Sequence, residues 1–373
     1  MKKMVIHCAS GIKNNGDEAI LDALIQRFRE EYHIVVISLN KQYSQKIHPN
    51  VVFLSYSDRN TCKSHIAQCD MFILGGGGLL QDTTTIYNVS RWLYYLKYAC
   101  KCGKYTYVYA NSIGPLHYGI NRRSVKRVLK KVTRITVRDR YSQELLERMD
   151  IPCTLTADPV FGLRYSLNGM EEKYRELPDK YVAIAIRHWF DTVPLIPVSL
   201  CTKLKIRNQR KYNHYIEQMR ECVAYINDRK KMPVVFLSFC YERDAGVARD
   251  ILCTDRLQDI NQIINEELAK PEDLLYIISN AELLIGMRLH SIIYALRTSC
   301  PFVPIIYESK VQSLVNMLDC NELAVFVEKL LAKDLNHKIE RVLREKERLL
   351  ENNSRKLSHL IQMEKKNSIG SMQ

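Results

Sequence analysis

Met71-Phe72-Ile73-Leu74-Gly75-Gly76-Gly77-Gly78-Leu79-Leu80-Gln81-Asp82 sets four apolar residues directly before four glycines. The apolar run reads as a buried strand. Glycines placed straight after a strand expose backbone N–H groups to a ligand. Four of them cost chain entropy without helping packing, which favours a ligand-approach loop over a bare strand–helix turn. Gly76 and Gly77 are therefore candidate substrate contacts, as is Asp82 at the end of the stretch. The spacing does not give G-x-G-x-x-G, because the last position falls on Leu80. It also lacks the Gly-Lys-Ser/Thr of a P-loop. Dinucleotide binding and ATP hydrolysis are excluded on those grounds.

Outward from this stretch, short apolar runs alternate with helical patterns. The strands expected in the first half are 4–8, 34–38, 51–54, 71–74, 105–109, 135–137 and 154–156. Helical stretches at 19–30, 91–102, 124–131 and 142–148 separate many of them. Such alternation predicts an α/β fold with a parallel sheet and helices on both faces. The pattern then restarts. Strands are expected at 181–186, 234–238, 283–285 and 302–306, with helices at 212–228, 272–279 and 291–297. The sequence thus predicts two Rossmann-like domains, residues 1–170 and 171–330, with the boundary in the polar stretch 163–180. A charged helical tail follows, residues 331–373, with Leu335, Ile339, Val342, Leu349, Leu357 and Leu360 spaced for one face. It packs on the body or on another chain, and disorder is expected from Lys365 on. In open α/β sheets, ligands bind outside the carboxyl ends of strands. Catalytic residues are expected there, facing a cleft between the domains.

The 373 residues are enough for two buried cores, with 46% of them hydrophobic. Neither a signal peptide nor a run of membrane-spanning length is visible, so a soluble cytoplasmic protein is expected. The twelve cysteines are scattered and form no C-x-x-C. They read as reduced, mostly buried thiols, and no convincing metal cluster or cofactor motif is present. The formal net charge of +14 favours anionic partners. Part of it is local. The segment Gly119–Arg134 holds Arg122, Arg123, Lys126, Arg127, Lys130, Lys131 and Arg134 and no acid. From Arg123 on, these recur as one helix face. That face is either a solvated surface or a peripheral contact with an anionic inner membrane surface.

Other motifs also follow strands. Asn14-Asn15-Gly16-Asp17-Glu18 opens a helix, with Asp17 or Asn15 as cap or as acceptor contact. Tyr109-Ala110-Asn111-Ser112 places Asn111 at a strand's carboxyl end. In 138–142, Ser142 reads as an N-cap, and Asp158 as a hinge-side carboxylate. Arg187 follows the strand 181–186. Arg288 and His290 follow the strand 283–285 in Gly286-Met287-Arg288-Leu289-His290. Alternation lets Arg288 and His290 point one way while Leu289 packs inward.

Taken in order, these pieces resemble the polysaccharide pyruvyltransferase family, over about Gly16 to Val311. They are Gly16-Asp17-Glu18-Ala19, the glycine run with Leu79-Leu80-Gln81-Asp82, and Ile113-Gly114-Pro115. Arg138-Asp139, Ala157-Asp158-Pro159, Arg187 with Trp189, and Gly286 to His290 complete the set. The resemblance implies a GT-B-like fold, phosphoenolpyruvate as donor and a ketal spanning two hydroxyls of a glycan or lipid-linked glycan. It also implies a donor site built from Arg187, Arg288, Leu289 and His290. Asp17, Gly76, Gly77, Asp82 and Asn111 then fall on the acceptor side. Where members commonly carry Gly-Gln-Gly, this chain has Ala110-Asn111-Ser112, which bears on the acceptor. The alternative reading is a GT-B nucleotide-sugar glycosyltransferase. A specific nucleic-acid binder is disfavoured, since no RNP, KH or helix-turn-helix signature accompanies the charge.

Overall fold

Every apolar run read as a strand pairs in parallel with its neighbours in a computed structural model that describes residues 1–83, 85–190 and 208–368. The chain divides into two units. One holds residues 1–164 and the final described residues from 360; the other holds 165–190 and 208–359. The division falls at Arg164–Tyr165.

In the first unit the strands are β1 (Lys2–His7), β2 (Tyr32–Ser38), β3 (Val52–Ser55), β4 (Met71–Leu74), β5 (Gly77–Leu80), β6 (Tyr105–Ile113), β7 (Arg134–Val137) and β8 (Thr154–Leu155). Their order is β3-β2-β1-β4-β6-β7-β8, with β5 paired to β6. The second unit contains β9 (Val182–Ala185), β10 (Val234–Leu237), β11 (Gln262–Ile264), β12 (Leu283–Gly286), β13 (Phe302–Ile306) and β14 (Val325–Phe326). Their order is β11-β10-β9-β12-β13-β14. Strands β4, β9, β10, β12 and β13 are buried along their whole length. Helices cover both faces of such strands, which is why they read as unbroken apolar runs. Both sheets reverse winding direction once, between β1 and β4 and between β9 and β12. Crossovers diverge at these points and leave a crevice at the carboxyl ends.

Several sequence expectations are corrected. The glycine run does not stay a loop: Gly77–Leu80 is β5, with Gly77 opposite Asn111 and Leu80 opposite Ile113. This pairing extends β6 to Ile113, so Asn111 and Ser112 lie within a strand rather than beyond one. The glycines also serve packing. A Cβ on Gly75 would sit 2.7 Å from Cys8 Cβ, and one on Gly76 3.0 Å from Ile20 and 3.2 Å from Pro159. Helix Asn15–Phe28 is capped by Asn14, not by Asn15 or Asp17. Helix Arg140–Glu147 is capped by Asp139, whose carboxylate accepts from Ser142 N at 2.8 Å. Asp158 is tied to the buried Arg138.

The basic segment is helical over Gly119–Leu129 only. Lys126 pairs with Asp150 at 3.1 Å, and Arg134 opens β7 with its guanidinium over the Tyr107 ring. The cations left exposed are Arg122, Arg123, Arg127, Lys130 and Lys131. The tail is not a separate body. Helix Ala332–Arg344 buries Leu335, Ile339 and Val342 within the second unit, against helix Gln209–Tyr225 and β13. Helix Lys346–Lys365 ends in the first unit, where Arg27 Nη2 meets both Glu364 oxygens at 2.5 and 2.6 Å. Asn367, beyond the expected onset of disorder, is fully buried and accepts a hydrogen bond from the Tyr107 hydroxyl. Among the described residues, no helix is long and apolar enough to cross a membrane.

Candidate active site

In the second unit, four parallel strands deliver polar side chains to one end of the sheet. Arg187 lies just beyond β9 and Arg288 just beyond β12, the two strands flanking the reversal of strand order. Met287 N donates to Ala185 O at 2.8 Å, which holds the β12 exit beside the β9 exit. The guanidiniums are close enough for each to feel the other's charge. Two like charges in a buried place require counter-charges, and two further strand exits supply them.

Asp244, in the first turn of the helix after β10, grips Arg288 through both carboxylate oxygens. Arg288 Nε donates to Oδ2 at 2.9 Å and Nη2 donates to Oδ1. Burial works against the Arg288 charge, but Asp244 outweighs it and raises the pKa. Glu308, just past β13, lies 3.4 Å from Arg187 and 2.8 Å from Lys310. Burial would raise the Glu308 pKa, yet Lys310 and Arg187 hold it below the usual carboxylate range. Lys310 is raised in turn: Glu308 overcomes the cost of its burial.

Aromatic rings fix the Arg187 plane. Its guanidinium carbon lies 4.4 Å from the Tyr307 ring centre and 5.4 Å from that of Trp189. The two rings meet edge-on at 5.0 Å. Cation–π contacts of this kind strengthen where water is excluded. The side chains of Arg187 and Arg288 keep 13% and 12% of their surface, so neither is sealed from solvent. Three cations thus face two carboxylates. One net positive charge remains at the mouth of a sheet, a setting suited to a small polyanion.

His290 sits in the first turn of helix Leu289–Arg297 and is 9% exposed. The helix starts at Leu289, so the alternation expected for Arg288, Leu289 and His290 does not hold. Arg288 is the extended N-cap, while Leu289 and His290 are both buried helical residues. No side chain caps this helix or helix Ser309–Met317. Helix N-termini carry partial positive charge and favour anions. The sequence reading named Arg187, Arg288, Leu289 and His290. It missed Asp244, Tyr307, Glu308 and Lys310. A signal was available for Tyr307, Glu308 and Lys310, since they follow a recognised strand just as Arg288 does.

The first unit presents a second strand-exit cluster at its own reversal point, β1 and β4. Asp17 lies in the first turn of helix Asn15–Phe28, 3.3 Å from where a Gly77 Cβ would project. Gly77 has φ near +107°, a conformation that side chains rarely adopt. Gly76 is enclosed, whereas Gly78 has open space where a side chain would be. Asp82 and Asn111 take architectural places instead. Asp82 is 1% exposed and accepts from His117 N, Tyr118 N and Asn121 Nδ2 at 2.7, 3.1 and 3.1 Å. Asn111 is fully buried and donates to the carbonyls of Leu74, Gly75 and Tyr109. It therefore shapes the glycine turn from beneath. Among the described residues, no group of three His, Cys, Asp or Glu is placed to hold a metal ion.

A family model for polysaccharide pyruvyl transferase matches residues 14–309, most of the chain. The chain belongs to this family. Arg187, Asp244, Arg288, His290 and Glu308 all fall inside the matched span of this pyruvyl transferase. No curated protein matches the sequence. Among solved structures, Alr3699/HepE from Anabaena in complex with UDP is similar at 9% identity and a TM-score of 0.60. That match covers 97% of this chain and 95% of the other. UDP-GlcNAc 2-epimerase from Neisseria meningitidis, bound to UDP-GlcNAc, is similar at 11% identity and 0.61, over 98% and 99%. A glycosyltransferase from Rickettsia africae is similar at 11% and 0.59, over 98% and 96%. These likenesses establish the GT-B type of fold for this transferase.

Proposed function

We propose that this family member transfers pyruvyl from phosphoenolpyruvate to a glycan and that the second unit holds the donor. The observation that carries the reading is the Arg187–Arg288 pair at the β9/β12 reversal, with Lys310 beside it. Phosphoenolpyruvate bears a phosphate and a carboxylate on a three-carbon frame. Guanidinium edges can bind each anion through two N–H groups. Asp244 and Glu308 keep the guanidiniums oriented before the donor arrives, so little ordering is left to binding.

Chemistry follows from the donor. A proton adds to the methylene carbon, and the neighbouring carbon becomes oxocarbenium-like. A sugar hydroxyl attacks that carbon. Phosphate then leaves, and a second hydroxyl closes the ketal. One hydroxyl proton balances the new methyl group and the other leaves with phosphate. His290, one residue into the helix that follows Arg288, is assigned the proton steps. Asp17 and the Gly76–Gly77 backbone are assigned to the acceptor. A membrane-proximal acceptor would suit the basic helix after Gly119.

The test is incubation with phosphoenolpyruvate and a panel of galactosides and mannosides. Phosphate release together with the mass gain of a pyruvyl ketal is expected. Binding of UDP with no binding of phosphoenolpyruvate would transfer the chain to the nucleotide-sugar reading.

A further inference from the structure

A second cationic feature lies in the first unit, on helices remote in sequence from the donor residues. Helices Arg59–Ala67, Asn88–Lys101 and Gly119–Leu129, with the residues just after the last, flank an open hollow of about 420 Å³. Lys63, Lys97, Lys101, Arg127 and Lys131 line it, and no acid does. Among the described residues, none of these five is ion-paired. Their positive charge is thus uncompensated, unlike that of Arg288 or Lys126. The floor differs in kind. Tyr94, Tyr98 and Val128 give it apolar surface, and Lys63 Nζ lies over both tyrosine rings, at 5.6 and 5.3 Å. Arg59 stacks on Tyr94 as well, at 5.0 Å.

We infer that this hollow docks the phosphate headgroups of an anionic lipid bilayer. Five unpaired cations call for several anionic charges in one small space. A tyrosine floor with long Lys and Arg stems suits the boundary of headgroup and acyl chain. There an aromatic body is half-buried and an ammonium reaches outward. A nucleic acid would need a basic track following a backbone, with bases stacked along it. The cations here instead gather around one short open hollow. The exposed Arg122 and Arg123 on helix Gly119–Leu129, and Lys130 just after it, widen the positive field beyond its rim. The whole chain is basic, so the groove must be separated from net charge.

The experiment is co-sedimentation of the full chain with phosphatidylcholine vesicles, with and without phosphatidylglycerol, over a range of salt. Lys97→Glu/Lys131→Glu is compared with a charge-matched control, Lys329→Glu/Lys333→Glu, at exposed residues of the second unit. Binding to the anionic vesicles is expected to fall at least about tenfold in the first variant and little in the control. Circular dichroism checks that both remain folded, and turnover of a soluble acceptor stays at the parent level. Equal losses in the two variants overturn the proposal, since net charge alone would then explain binding. So does binding of inorganic phosphate without binding of vesicles. A single-stranded oligonucleotide that binds through the same lysines while vesicles do not overturns it in favour of nucleic acid.

Discussion

Arg288 and Asp244 are joined as a two-pronged fork, Nε on Oδ2 and Nη2 on Oδ1, between residues delivered by β12 and β10. Oδ2 also accepts from Cys240 N at 2.8 Å, so the carboxylate shapes its own loop while holding the guanidinium. Removing it leaves a buried charge uncompensated. Asp244→Ala is expected to cost about 3–5 kcal/mol, read by urea denaturation. An unshifted midpoint would show that the fork is dispensable to the fold.

Donor chemistry can be separated from donor binding. Arg288→Lys keeps the charge but loses the planar fork, so the KM for phosphoenolpyruvate should rise with the fold retained. His290→Ala should lower kcat at least about 100-fold, with a thermal midpoint near the parent's. Parent-level turnover in His290→Ala removes the imidazole from the proton steps.

The four glycines should respond unequally. Gly75→Ala forces a Cβ to 2.7 Å from Cys8 Cβ and is expected to cost about 1–3 kcal/mol. Gly78→Ala meets nothing within 4 Å and should alter stability by less than about 0.5 kcal/mol. If the acceptor packs on this backbone, Gly78→Ala still loses turnover. Unchanged kinetics there would move the acceptor elsewhere.

Two buried histidines set opposite pH limbs. His48 bridges Glu18 at 3.0 Å and Asp22 at 3.1 Å. Burial opposes its charge, but these carboxylates outweigh it and lift its pKa to about 9. Its contribution is complete below pH 6.5 and is lost as pH rises through 9. His7 packs against Tyr56, Trp92 and Tyr95. Burial, aided by Arg91, holds its pKa down at about 3. Below pH 6.5 the unfolded chain takes up a proton that the folded imidazole refuses. Stability from this residue therefore falls toward pH 3, by roughly 1.4 kcal/mol per pH unit. Stability measured against pH should lose its alkaline limb in His48→Gln and part of its acid limb in His7→Phe.

The C-terminal return can be tested through its ion pair. Glu364 is 2% exposed, and burial raises its pKa even against the pull of Arg27. Arg27→Ala should cost about 3–5 kcal/mol. Arg27→Leu combined with Glu364→Leu should recover much of that, because no buried charge is then stranded. A double variant as weak as the single one would show that the pair contributes more than mutual neutralisation.

Much of the fold could be read from local pattern. Met71–Leu74 and Phe302–Ile306 were placed to the residue, since both are apolar runs ended by polar or glycine punctuation. Arg187 and Arg288 were legible for the same reason: each is the first charge after a buried strand. Asp244 gave no such sign, because an acid in the first turn of a helix is ordinarily a helix-dipole partner. The glycine run misled because packing against Cys8 and Ile20, residues far back in the chain, has no trace in its own sequence.

The sequence by itself therefore determined the parallel α/β character, the strands and the strand exits that bear arginines. Those properties rest on burial and turn chemistry within a few neighbouring residues. The tertiary structure alone decided which carboxylates neutralise those arginines, which glycines are packed and which are open, and where the tail ends. It also decided that five cations from three separate stretches of chain share one hollow. Such relationships depend on residues distant along the chain meeting in space, and periodicity carries no record of which partner arrives.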